Sequence, residues 1–128
     1  MKYLLDTHAF LWIVEDHASL SQKARSLYLN SSHTFFISMA CIWEIVIKTS
    51  LGKLLLDESM EQFVLTHVYG NDFKILDIKL EHLMALENLS YHHRDPFDRL
   101  LVAQAMVEKM SVISKDTELD AYPIKRVW

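Results

Sequence analysis

The chain has 128 residues, 51% of them hydrophobic, with two Gly, two Pro and a single Cys. That is enough apolar material for one packed domain and argues against disorder. It leaves no room for an internal disulfide, and no apolar run reaches the roughly 18 residues of a membrane span. Thirteen basic residues against 17 acidic ones give a net charge of −4. A protein that grips nucleic acid through its overall field is expected to be basic, so any polyanion here has to be held locally or through metal ions.

The run Lys2 to Asp6 reads as a short strand covered on both faces. Helical stretches follow near Ala9–Glu15 and Ser21–Ser31, and Thr34–Ile37 reads as a second strand. Ser38 then caps a helix whose apolar residues Met39, Ile42, Trp43, Val46, Ile47 and Leu51 have helical spacing, with Gly52 as a stop. That spacing predicts an inward stripe with Glu44 on its flank. A helix from Ser59 to about Tyr69 ends at Gly70-Asn71-Asp72. Phe73–Leu76 is a strand, Lys79–Asn88 a helix, and Pro96 to about Lys109 a central apolar helix. Ser111–Ser114, a helical turn at Thr117–Ala121 and a strand at Lys125–Trp128 close the chain. The Met and Trp residues mostly fall at core spacings. Strands alternating with helices predict one α/β domain over residues 1–128 with a parallel sheet, whose site lies at the carboxyl ends of the strands.

Acids gather at those junctions. Asp6 follows the first strand, where it serves either as a helix cap or as a catalytic carboxylate. Glu44 has Lys48 four residues on, in the orientation of a surface pair. In Arg94-Asp95-Pro96-Phe97-Asp98-Arg99, Asp95 is the better N-cap and Pro96 suits the first helical position. Asp98 shares a face with Asp95, and a divalent cation relieves their repulsion. Asp116 follows Val112-Ile113-Ser114. Thr7 either caps the helix or contacts a metal-bound water, and Arg99 and Lys115 are candidates for orienting a phosphate. His92-His93 adjoin the acids, but neighbours in sequence rarely face one ion, and one Cys gives no zinc spacing. A haloacid-dehalogenase-like phosphatase needs a second Asp two residues after the first, where this chain has His8.

These segments together resemble a PIN-domain ribonuclease of the VapC toxin type. The resemblance rests on Leu4-Leu5-Asp6-Thr7-His8, on Ser38 with Trp43-Glu44-Ile45 and Lys48, on Arg94 to Leu101 with Ala103-Gln104-Ala105, and on Ser114-Lys115-Asp116 with Tyr122 and Val127-Trp128. It implies a three-layer α/β/α fold with about five parallel strands. It also implies an acidic quartet of Asp6, Glu44, Asp98 and Asp116, supported by Asp95, that binds Mg²⁺ or Mn²⁺. Cys41 stands where relatives often carry Ser. The implied activity is metal-assisted hydrolysis of RNA by an activated water, leaving a 5′-phosphate and a 3′-hydroxyl. The implied partners are RNA, a cognate antitoxin and a second copy of the chain; the single Cys41 fits a reducing, cytoplasmic setting. A PIN-like module that binds without cutting is the alternative.

Overall fold

A computed structural model describes residues Met1–Trp128. Five parallel strands, β1 (Lys2–Leu5), β2 (Thr34–Ser38), β3 (Lys74–Leu76), β4 (Ser111–Ile113) and β5 (Arg126–Val127), lie in the order β3-β2-β1-β4-β5. Six α-helices connect them: α1 (Thr7–Glu15), α2 (Gln22–Leu29), α3 (Met39–Ser50), α4 (Met60–His67), α5 (Leu80–Glu87) and α6 (Pro96–Glu108). Short 3₁₀ turns occupy Tyr69–Asn71 and Thr117–Ala121. Successive strand residues point to opposite sheet faces, and Leu4, Leu5, Val112 and Ile113 are all fully buried. Both faces are therefore covered, which gives the α/β/α layering. No helix is long and apolar enough to cross a membrane.

Chain order reverses around β1, whose neighbours are β2 and β4. Leu5 lies in register with Ile37 on one side and Ile113 on the other. The residues that follow these three are polar: Asp6, Ser38 and Ser114 sit side by side at the carboxyl edge. This is the crevice where open α/β sheets bind ligands. Capping fixes how the chain leaves that edge. Asp6 accepts the Ala9 amide at 2.7 Å and Ser38 the Ala40 amide at 3.0 Å, opening α1 and α3. Asp95 opens α6 by accepting from Phe97 and Asp98.

The orientation of α3 overturns the expected stripe. Its buried residues are Ala40, Cys41 and Ile45, while Met39, Trp43, Val46 and Leu51 are exposed, Trp43 by 56%. Small side chains at Ala40 and Cys41 let the backbone come close to the sheet, near enough for the Cys41 thiol to reach Leu5 O at 3.8 Å. Of the bulky residues Ile45 alone is fully buried, and Met39, Trp43 and Val46 are left on the outer face. Met84 and Met106 are likewise exposed, and Trp12 and Trp128 only half-buried, so the expected core role of Met and Trp does not hold for most of them.

Candidate active site

A cleft of about 370 Å³ opens at the carboxyl edge. It is lined by five carboxylates, Asp6, Glu44, Asp95, Asp98 and Asp116, together with Thr7, His8, Trp12, Lys48 and Lys115. The four acids expected from the sequence come together although up to 110 residues separate them, and Asp95 joins them.

Each is held differently. Asp6 is 6% exposed and spends one oxygen on its cap. Burial raises its pKa, against the hydrogen bonds to Ser114 and the Ala9 amide, which lower it. Thr7 does not cap the helix. Its hydroxyl donates to Glu44 Oε1 at 2.6 Å, while Lys48 Nζ lies 2.9 Å from Glu44 Oε2. The anticipated Glu44–Lys48 pair thus forms, and it forms at the cleft. Asp95 is the cap of α6, with Oδ1 holding two amides. Asp98 sits in the first turn, where burial and the neighbouring Asp95 push its pKa up to about 7. Asp116 caps the turn at Thr117–Ala121 by accepting from the Glu118 amide at 3.0 Å. Cys41, buried beneath the site, has its thiol pushed up to about 12 by desolvation and stays protonated.

Two expectations fail. Arg99 does not reach the cleft. It is 6% exposed, and its guanidinium donates to Ser90 O at 2.8 Å and Leu89 O at 3.2 Å, with Tyr91 stacked over it. Being the next residue after Asp98, it is rotated by roughly 100° around the helix axis, which turns it away from the acids and onto the loop before α6, which it ties down. The histidines do not both stand aside. His92 is exposed, but His93 is buried with Nε2 at 2.7 Å from Asp116 Oδ2 and 3.4 Å from Asp98 Oδ2. His93, Asp98 and Asp116 each offer a ligand atom within 4.8 Å of the others. Burial lowers the pKa of His93, but the hydrogen bond to Asp116 and the charges of Asp98, Asp116 and Glu118 outweigh it, so the pKa is raised. The Asp95 amide on Nδ1 pulls the opposite way, since only a neutral ring accepts there. His93 carried no signal in spacing, because its partner lies 23 residues away.

Five carboxylates face two lysines, and Lys48 is already paired with Glu44. Crowded oxygen donors of this kind fit a hard divalent cation, whose charge would offset the burial and the Asp95 repulsion that lift Asp98. A parallel α/β domain with an acidic cleft at its switch point is a class shared by several families. The PIN-domain family model matches residues 3–125, and the chain belongs to that family. Solved structures share the fold over nearly the whole chain. VapBC2 from Rickettsia felis, bound to a promoter DNA fragment, matches at 17% identity and a TM-score of 0.73, covering 100% of this chain and 99% of that one. DNA-bound VapBC from Salmonella typhimurium matches at 17% and 0.70, covering 99% and 97%. FitAcB from Neisseria gonorrhoeae matches at 14% and 0.70, covering 98% and 96%. No curated protein matches the sequence closely enough to carry its function over.

Proposed function

We propose that this protein is a metal-dependent endoribonuclease, the toxin half of a VapBC-like pair. The observation that carries the reading is the meeting of Asp6, Glu44, Asp98 and Asp116 around one cleft in a PIN-family chain. These four would hold Mg²⁺ or Mn²⁺, with Asp95 beside them. A bound divalent cation supplies a water of lowered pKa and offsets charge on the phosphate. The chain supplies the rest. Asp6 and Asp98 present carboxylate oxygens from the ends of β1 and α6. Thr7 and Lys48 fix Glu44 from two directions. Lys115, an exposed cation at the rim, meets the phosphodiester of an RNA strand entering the cleft.

A solved structure of the same fold from Klebsiella pneumoniae is described as a toxin–antitoxin complex, which supports a cognate antitoxin as partner here. The exposed apolar residues Met39, Trp43 and Val46 of α3 and Leu80, Leu83 and Met84 of α5 are surface that an antitoxin or a second copy would bury. The reading predicts that purified chain cuts RNA only with Mg²⁺ or Mn²⁺, and that Asp98→Ala does not cut. Sequencing of RNA ends after brief expression should give 5′-phosphate ends found with wild type and not with Asp98→Ala. Equal cleavage by the two would remove the proposal.

A further inference from the structure

His93 is the buried polar side chain at the cleft that the proposed chemistry leaves without a task. It lies between two of the proposed cation-holding carboxylates, so it either coordinates the cation or holds one of its ligands. The structure separates these roles through the other ring nitrogen. The backbone N–H of Asp95 points at His93 Nδ1 at 3.1 Å. A backbone amide can only donate, so Nδ1 accepts, and the ring hydrogen belongs to Nε2. A nitrogen that carries hydrogen donates to carboxylates and does not bind a metal. Nε2 accordingly sits 2.7 Å from Asp116 Oδ2, with Asp98 Oδ2 and Glu118 Oε2 each at 3.4 Å.

The loop that carries His93 is fixed with unusual thoroughness for a surface connection. Tyr122 Oη accepts the His93 amide at 2.9 Å and the His92 amide at 3.1 Å, and donates to Ser90 O at 2.8 Å. Arg99 holds Ser90 O and Leu89 O from the other side. Tyr122 is 4% and Arg99 6% exposed. Buried hydrogen bonds of this sort are strong because water cannot replace them. The imidazole is thus clamped at both its backbone and its Nδ1, leaving Nε2 aimed at Asp116.

We infer that His93 is a positioning residue: its Nε2–H holds the Asp116 carboxylate beside Asp98, in the orientation a divalent cation needs, without itself binding the cation. The Glu118 amide on Oδ1 completes the hold, and the spare lone pairs of both oxygens stay available. The outer hydrogen bonds of metal-ligating groups commonly set affinity by 10–100-fold, and this contact has that form.

The inference rests on the proposal that Asp98 and Asp116 hold the cation. Its test is Mn²⁺ affinity, read by electron paramagnetic resonance of free Mn²⁺, on wild type, His93→Ala, His93→Gln and Asp98→Asn. Gln places an N–H close to where Nε2–H stood. His93→Ala should weaken Mn²⁺ binding by roughly 10–100-fold, and His93→Gln should restore most of it. Long-range ¹H–¹⁵N spectra of wild type should show the His93 hydrogen on Nε2 before and after Mg²⁺ is added. Unchanged affinity in His93→Ala overturns the inference, as does His93→Gln behaving like Ala, or a hydrogen that moves to Nδ1 when Mg²⁺ binds. If His93→Ala does not fold, the Gln variant and the wild-type spectra still decide. If Asp98→Asn binds Mn²⁺ as wild type does, the cation-site proposal itself fails, a result distinct from failure at His93 alone.

Discussion

A histidine–carboxylate pair lies beside each end of helix α6, and the two are built alike. At its start, His93 accepts the Asp95 amide on Nδ1 and directs Nε2 to Asp116. At its finish, His82 accepts the Lys79 amide on Nδ1 at 3.0 Å and directs Nε2 to Glu108 at 3.0 Å. The difference is the surroundings of each carboxylate. Glu108 meets the His82 hydrogen bond and the Lys79 ammonium, which hold its pKa below the ordinary glutamate value. It is a satisfied acid at a helix end, as helix pairs often are. Asp116 shares a cleft with four other acids. The fully buried His82 also touches Gln104, which accepts from Ser38, so the rear pair belongs to the packing. Local geometry alone does not separate a structural histidine from one that prepares a site. The company its carboxylate keeps does.

The sharpest break between the two ends is Asp98→Asn against Glu108→Gln. Asp98→Asn should abolish Mg²⁺-dependent RNA cleavage to background. Glu108→Gln should leave the rate per folded molecule within about twofold, since it weakens only the contacts to His82 and Lys79, at the end of α6 away from the cleft. Cleavage assays on both variants at matched folded concentration check this. Comparable losses would erase the distinction between the ends.

Stability should order the ends the other way. His82→Ala removes a fully buried ring, strands the Lys79 amide and takes one of the partners of Gln104, at an expected cost of about 2–4 kcal/mol. His93→Ala removes a ring that is 8% exposed and frees the Asp95 amide and the Asp116 carboxylate at the cleft, where water reaches them, and should cost less, about 1–2 kcal/mol. Urea denaturation of both without metal reads the difference.

The acidic end should also reveal itself through pH. The Asp98 carboxyl is raised in the folded protein from 3.8 to about 7. Between these values the folded state binds more protons than the unfolded one, so stability falls as pH rises. From pH 4 to pH 7 the full shift would amount to about 3 kcal/mol, and with solvent screening of this part-exposed carboxyl the metal-free protein should lose about 2 kcal/mol, Asp98→Asn correspondingly less. Millimolar Mg²⁺ should flatten the wild-type slope, because it replaces the protons that quiet the cluster. A slope indifferent to both the substitution and Mg²⁺ would show that the acids do not repel one another as the geometry implies.

What the amino-acid sequence makes legible follows the same division between local and distant causes. Strand runs and helix caps are local. Ser21, Ser38, Ser59 and Asp95 all cap the helices that they announce, and the fold follows from them. The acids could be read because each stands at an element's end, where parallel folds bring residues together. The face of α3 could not, because Ala40 and Cys41 set it by how closely the sheet admits them, and apolar periodicity weighs bulk instead. Arg99 and His93 were out of reach for another reason. One is claimed by carbonyls of Leu89 and Ser90 and the other by a carboxylate past β4, and such tertiary claims leave no spacing in the chain.

The smallest test asks whether the two ends of α6 are mechanically separate. Lys109 follows Glu108 and closes the helix in the left-handed region, at φ 55°. A side chain there carries strain that glycine lacks. Lys109→Gly should therefore raise stability by about 0.5–1 kcal/mol, as a reduced term after the unfolded chain's added freedom is counted. Because α6 is thirteen residues long, relaxation at its last turn should not reach the carboxylates at its first. Mn²⁺ affinity should stay as in wild type while the urea midpoint rises. An affinity that moved with the midpoint would mean that the helix transmits strain along its length, and the rear pair would then share in holding the acidic cleft.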